Sequence, residues 1–338
     1  MLEAWGQYFG ASLLVFLGGW FLVRFGDAIA DETGLGRVWA GVILLATATS
    51  LPELVTGITA VRQIDSPNLA AGGAFGANGL NLLVIAILGL RWREMLHDPT
   101  TETKKMGISG ILVTLIAAGV LVLGRDALGV PSVVIRILPG LLIVSYVVTA
   151  LWTIGQLGSV LPSRSTLSGG MPSLSIPKPS ERLVKSAGGY LAAVGIVTAS
   201  GIWLAFAADD VTDAMGWSSS FVGAQFLPLS TTLPEFSVAV ASLRLGAPEM
   251  ALSNLLGSNM FNIGIVLAVD SFAYTKGAFF TQISTVHEVA AMAGLAMTLI
   301  FIPGLVFASR PWGATAATKS ITMIAVYATM STLIFILS

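Results

Sequence analysis

Thr49-Ser50-Leu51-Pro52-Glu53 and Thr231-Thr232-Leu233-Pro234-Glu235 each set a hydroxyl pair, a proline and a carboxylate inside a strongly apolar stretch. A carboxylate deep in a membrane span is costly unless paired or hydrated, and is functional by default. Thr49 and Glu53 are four residues apart, as are Thr231 and Glu235, so each pair shares a helix face. The proline lacks an N–H and displaces the carbonyl four residues earlier, which frees the carbonyls of Ala48 and Ser230. Asn81 and Asn262 add amide oxygens downstream, and Ser258 adds a hydroxyl one helical turn before Asn262. The set is all oxygen, with two negative charges. That suits a hard cation: calcium takes about six to eight oxygens at roughly 2.3–2.6 Å. Sodium would use the same atoms, fewer per ion. Two carboxylates nearly neutralise one calcium or two sodium ions. Ions that share ligands compete, and competition at one alternately exposed site is what exchange requires.

The two motifs belong to a longer repeat. Residues 41–81 align with 223–262, at an offset of 182 up to Arg62 and Arg244 and of 181 after one deleted residue. Gly76, Asn78 and Asn81 then match Gly257, Asn259 and Asn262, and upstream Asp31 matches Asp213.

These residues need elements to hold them. The chain has 338 residues, 55% hydrophobic and only 10% charged. Soluble domains carry about 25% charged residues, so lipid is the main solvent here. A spanning helix takes roughly 20 apolar residues. Ten candidates lie at 8–25, 38–61, 69–90, 106–124, 131–156, 185–206, 220–243, 250–272, 284–307 and 316–337. The first is read as a permanent span, because no basic segment precedes its apolar run and no small-residue cleavage site follows it. The first motif copy falls in spans two and three, the second in spans seven and eight. An odd separation of five makes them run in opposite directions, an inverted repeat with substrate expected at its interface. The expected fold is therefore all-α and polytopic: ten transmembrane helices in two inverted five-helix repeats, 1–156 and 185–338. A Ser/Gly/Pro-rich linker at 157–184 joins them.

Basic residues set the orientation. The loops after odd-numbered spans, with their flanks, carry thirteen: Arg24, Arg37, Arg91, Arg93, Lys104, Lys105, Arg164, Lys178, Arg182, Lys185, Arg244, Arg310 and Lys319. The other face carries three, Arg62, Arg125 and Lys276. The odd loops are expected in the cytoplasm and both termini outside. The expected location is a prokaryotic cytoplasmic (inner) membrane. The absence of cysteine excludes disulfides and thiolate metal sites. The net charge of −1 argues against a nucleic-acid partner. There is no Gly-x-Ser-x-Gly with a partner histidine and no His-Glu-x-x-His, so an enzyme is not expected.

At these residues the chain resembles the cation/calcium exchanger superfamily, in its sodium/calcium exchanger branch. The resemblance rests on the repeated hydroxyl-x-Pro-Glu and Gly-x-Asn-x-x-Asn patterns, present twice. It implies ten helices and four cation positions shared by sodium and calcium. Carried over by motif, Glu53 and Glu235 match the paired acids. Thr49, Ser50, Thr231 and Thr232 match the hydroxyls, and Ser258, Asn81 and Asn262 match ligands on the third and eighth helices. The resemblance also implies that spans one and six slide past this core during alternating access. Ala48 and Ser230 depart from the usual glycine, Gly72-Gly73 from Gly-Asn, and Ala77 from the usual serine. Asn262 stands where potassium-dependent relatives carry an aspartate.

The reading is a secondary antiporter that exchanges calcium for sodium, with no cofactor. The expected partners are those ions and the lipid bilayer, with no obligatory protein partner. Two alternatives use the same oxygens: a cation/proton antiporter, and a cation channel. Four other features are expected to be structural. Arg136 snorkels or forms a structural pair. His287 and Glu288 open a span at the interface. Asp209, Asp210 and Asp213 lie in a solvated outer loop. Trp5, Trp92, Trp217 and Trp312 anchor span ends.

Overall fold

The computed structural model describes residues 1–33, 46–92, 101–124, 129–154, 180–307 and 313–338. The 157–184 linker up to residue 179, the first part of the second expected span, Arg37, Arg93, Arg125, Arg164, Lys178, Arg310 and Trp312 lie outside the described residues.

The helices in chain order are α1 (Leu2–Thr33), α2 (Ala46–Thr49), α3 (Leu51–Thr59), α4 (Pro67–Arg91), α5 (Thr101–Leu123), α6 (Ser132–Ile137), α7 (Pro139–Ile154) and α8 (Glu181–Met215). They continue with α9 (Ser219–Phe221), α10 (Leu227–Thr231), α11 (Leu233–Arg244), α12 (Pro248–Phe261), α13 (Leu267–Ala273), α14 (Phe279–Gln282), α15 (Val286–Phe307) and α16 (Gly313–Leu337). Wide π-turns at Ala60–Ile64, Val222–Phe226 and Asn262–Val266 link neighbouring segments. Single π-turns inside helices are frequent at functional positions.

Among the described residues, seven helices are long and apolar enough to cross a membrane. The number is eight if the pair Ser219–Thr231 and Leu233–Arg244, bent by 44°, is one span. The chain is thus an all-helical polytopic membrane protein. The difference from ten has two sources. The span expected at 38–61 is described only from residue 46 and is broken at Ser50, and the apolar run Val286–Ile302 is short.

Local chemistry explains the breaks. α3 and α11 carry Pro52 and Pro234 at their second positions, where the missing N–H is no loss to the new helix. The residue before each helix leaves helical geometry in the same way: Ser50 has φ −85°, ψ 6° and Thr232 has φ −85°, ψ 2°. These two positions are repeat counterparts. The turns that follow also match. Asp65 (φ 62°) and Gly246 (φ 70°) adopt the left-handed conformation two residues before Pro67 and Pro248, which open α4 and α12.

α4 and the α12–α13 segment form the centre, with 78% and 89% of their apolar windows buried against 22% for the C-terminal span. Side chains on those helices therefore face protein. α1 lies along α8, and both touch the broken helices. A methyl group on Gly19 of α1 would come within 2.3 Å of the Pro234 ring, and one on Gly201 of α8 within 3.1 Å of Val55. Glycine at these positions lets α1 and α8 pass directly over the two motifs, each crossing the motif of the other half.

Polar contacts also join the ends of distant helices. Glu32 accepts a hydrogen bond from Ser180 at 2.7 Å and lies 3.5 Å from Arg182. At another end, Arg62 donates to the carbonyl of Ala273 at 3.2 Å, and Lys276 to Asp65 at 2.5 Å. The Asp65 carboxylate raises the pKa of the exposed Lys276 ammonium by hydrogen bonding and by charge.

Candidate cation site

Glu53 and Glu235 each stand in the first turn of a helix that begins at a break, α3 and α11. Both are buried, at 3% and 0% exposure, and they are close enough to repel one another electrostatically. A helix N-terminus favours negative charge, because its first amides lack intrahelical partners. That placement offsets part of the cost of two carboxylates among apolar helices. Among the described residues neither glutamate forms an ion pair with Lys or Arg.

The hydroxyls come from both halves. Ser50 donates to Glu235 Oε1 at 3.4 Å, and Ser258 donates to the same oxygen at 3.3 Å. Thr49 lies 3.5 Å from Ser258, hydroxyl to hydroxyl. Thr231 stands beside the Glu53 carboxyl as Thr49 stands beside that of Glu235. Both carboxylate oxygens of Glu53 and Oε2 of Glu235 are buried without a hydrogen-bond partner, as are Asn81 Oδ1 and both amide atoms of Asn262. Groups left this way are usually costly. A cation would use five of those six atoms as ligands, the exception being the Asn262 nitrogen. Among the described residues no cluster of three or more His, Cys, Asp or Glu side chains forms a metal site, so neutral oxygens must supply the rest of any shell.

The side chains of Ser230, selected for its carbonyl, and of Thr232, selected for its hydroxyl, point elsewhere. The Ser230 side chain donates to Tyr8 at 2.7 Å and lies 2.7 Å from Ser12, both on α1. Thr232 donates back to the carbonyl of Pro228 in its own helix turn. Ser230 is left with its backbone carbonyl to offer, like the buried Ala48, since Pro52 and Pro234 have no N–H to give either of them.

The asparagines do more than end a helix segment. Asn78 donates to the carbonyl of Asn259 at 3.2 Å, and Asn259 donates to the carbonyl of Asn78 at 3.3 Å. This reciprocal clamp joins α4 to α12 through two repeat counterparts. Asn81 donates to Asn259 Oδ1 at 3.0 Å, and Asn254 to the backbone carbonyl of Glu235 at 3.4 Å. The register already matched Asn78 with Asn259, so the clamp was within reach of the repeat. Asn254 has no repeat signal, because its counterpart is Gly73, but it keeps the asparagine of the Gly-Asn pattern from which Gly72-Gly73 departs. Asp270 is a third buried acid, at 0% exposure, with both oxygens unpartnered.

Several side expectations change. His287 stands in the first turn of α15 and is fully buried against protein, with Nε2 3.2 Å from Asn68 Oδ1. Asp209, Asp210 and Asp213 continue α8 instead of forming a loop. Lys105, counted with an odd loop and its flanks, is buried over the face of Trp152, at 5.6 Å. Arg136 is exposed in the last turn of α6. Trp5 and Trp217 do gather at one end, where Trp217 stacks on Phe226 at 5.1 Å.

Residues 4–155 and 185–336 match the sodium/calcium exchanger protein family. The chain belongs to that family. Family membership covers both halves and leaves out the intervening segment. The inner membrane protein YrbG of Escherichia coli K12 is 25% identical over 75% of this chain and 78% of its own length. Among solved structures, the sodium–calcium exchanger NCX_Mj is similar with a TM-score of 0.64 at 20% identity, covering 97% of this chain and 98% of that one. The H+/Ca2+ exchanger CAX is similar with a TM-score of 0.70 at 15% identity, covering 99% of this chain and 86% of that one. These two likenesses establish a shared fold. The exchanger family is one of transporters and not of enzymes.

Proposed function

We propose that this family member is a secondary antiporter that exchanges calcium for sodium by alternating access at one site between its two halves. In this reading the halves are five-span repeats of opposite direction, ten spans in all, with both termini outside a prokaryotic cytoplasmic membrane. The carrying observation is the meeting of Glu53 and Glu235, with three of their four carboxylate oxygens buried and free of hydrogen bonds. Two carboxylates balance one calcium ion. Thr49, Thr231, Ser258, Asn81 and Asn262 supply neutral oxygens, Ser50 positions Glu235, and Ala48 and Ser230 supply carbonyls. Because α1 and α8 lie over the broken helices that carry the ligands, sliding of those two helices past the core opens the cage to one side or the other. Sodium ions that occupy the same oxygens exclude calcium, which couples the two fluxes.

A proton as counter-ion is the second reading. Its support is Ala77, fully buried where a serine hydroxyl would otherwise add a sodium ligand. One experiment separates the readings. The full chain is reconstituted in liposomes and isotopic calcium uptake is measured against imposed sodium and pH gradients. Uptake driven by outward sodium supports the main reading. Uptake that follows only the pH gradient replaces it with the second, and uptake indifferent to both removes antiport.

A further inference from the structure

Asp270 lies in α13, eight residues beyond Asn262, and its carboxylate is fully buried with neither oxygen hydrogen-bonded. It rests against the backbone of Gly57: a methyl group there would lie 2.3 Å from one carboxylate oxygen and 2.6 Å from the other. Gly57 follows Glu53 by one helical turn, about 6 Å along α3 and on the same face. Cβ positions on a helix tilt toward its N-terminus. The Asp270 carboxylate fills that position at residue 57, and so sits on the Glu53 side of Gly57.

Among the described residues the surroundings supply no counter-charge. The elements packed on α13 are α3, α4, α7, α14 and the π-turns 60–64 and 262–266. Their titratable or charged side chains are Glu53, Arg62, Arg91 and Tyr146, with Tyr274 and Lys276 just past the end of α13 itself. Arg62 is engaged by the Ala273 carbonyl and Lys276 by Asp65. Tyr146 packs its ring on Phe261, at 6.0 Å between centroids. An uncompensated buried charge is expensive, so the site is built for a cation that comes and goes. The feature is confined to one half: the repeat counterparts of Gly57 and Asp270 are Ala239 and Gly89.

We propose that Asp270, seated on Gly57 one turn from Glu53, is a third transport carboxylate that binds a monovalent counter-ion, sodium or a proton. The site would lie between the two-glutamate cage and the end of the molecule that bears Arg62 and Lys276. This rests on the antiport reading above. When monovalent cations replace calcium on the two glutamates, Asp270 holds one more of them, so that three monovalent charges balance three carboxylates. Since only one half carries it, the third site serves one face of the membrane.

The test uses the full chain in liposomes and two variants, Asp270→Asn and Gly57→Ala. The second keeps the charge and displaces it. Isotopic calcium uptake is measured with a sodium gradient, with a pH gradient, and as calcium–calcium exchange with no counter-ion. The expected result is a loss of about tenfold, equivalent to about 1.4 kcal/mol, in the gradient-driven arm for both variants, with a much smaller change in calcium–calcium exchange. The gradient that loses its hold identifies the cation. Unchanged driven uptake in both variants overturns the proposal, and so does an equal loss in every arm, which would make Asp270 structural. If Asp270→Asn does not fold, Gly57→Ala alone decides by the same criterion. A wild-type chain that exchanges calcium in no arm overturns the antiport reading and this one together.

Discussion

Ser50 Oγ donates to Glu235 Oε1 at 3.4 Å although the two residues are 185 positions apart in the chain. The hydroxyl comes from the break before α3 and the carboxylate from the first turn of α11, so each half completes the environment of the other. Ser258 reaches the same oxygen from α12. Two donors on one oxygen leave the second oxygen of Glu235 for a ligand, while Glu53 keeps both.

That asymmetry separates the two acids experimentally. Glu53→Gln and Glu235→Gln are each expected to lower calcium exchange by about a hundredfold, since removing one partner of a buried charge set costs about 3 kcal/mol. Stability should divide them. Glu53→Gln removes a buried charge whose two oxygens accept no hydrogen bond, so the ion-free protein should melt at the same temperature or higher. Glu235→Gln weakens the bonds from Ser50 and Ser258 and should melt lower. Thermal melts in calcium-free detergent, beside flux in liposomes, check both. Near-normal exchange by either variant would remove the proposed site.

Ser50→Ala isolates the contact between the halves. A bond to a charged acceptor contributes more than a neutral one, but 3.4 Å is long for it. The expected loss is about 1 kcal/mol, roughly fivefold in calcium affinity. Isothermal titration of the purified protein measures it, and a loss of a hundredfold or more would mean that Ser50 binds the ion directly and does not only position Glu235.

Ala77 lies on α4 one turn before Asn81, at the place matched by Ser258 in the other half. Ala77→Ser restores the missing oxygen in a fully buried position. Sodium-driven uptake should then saturate at a lower sodium concentration, by about threefold for a neutral ligand contributing roughly 0.6 kcal/mol. A sodium response identical to wild type would show that residue 77 does not face a sodium position.

The glutamates and hydroxyls were legible because the motif occurs twice and its residues are expensive in lipid. What the motif does not encode is the direction of each side chain. Ser230 turns to Tyr8 and Ser12 because α1 crosses there, and that crossing depends on Gly19, outside the aligned repeat. Asp270 was invisible to the repeat for a plain reason: its counterpart is a glycine. Helix length was misjudged both ways, since the runs expected at 38–61 and 220–243 are broken into shorter segments. Apolar runs of 18 and 22 residues became helices of 32 and 35, because an apolar run measures lipid thickness while a helix continues through polar residues such as Asp27, Glu32, Asp209 and Asp213.

The clamp between Asn78 and Asn259 holds α4 to α12 behind the carboxylates. Truncating either residue to alanine removes one amide donor and strands a buried carbonyl, at about 1–3 kcal/mol. Asn259→Ala should be the worse of the two, since Asn81 also donates to its side chain. The double variant should lose less than the sum of the single ones, because the two bonds share one interface. Melting temperatures of the three variants test this, and strict additivity would show that the two bonds act independently.

Gly19 and Gly201 lie upstream of the aligned segments but stand at the same offset of 182, and their neighbours differ in how far they can yield. A methyl at Gly19 meets the rigid Pro234 ring at 2.3 Å, whereas one at Gly201 meets the Val55 side chain at 3.1 Å. The first contact cannot be relieved without moving α1, and the second needs a shift of a few tenths of an ångström. Gly19→Ala should therefore cost about 1–3 kcal/mol as an overpacked interface, and Gly201→Ala less. If α1 and α8 move over the broken helices during the transport cycle, Gly19→Ala should also slow turnover more than it weakens calcium binding. Flux and equilibrium titration on the same preparation distinguish the two effects. Equal penalties for the two alanines would mean that α1 and α8 are seated on the motifs with the same freedom.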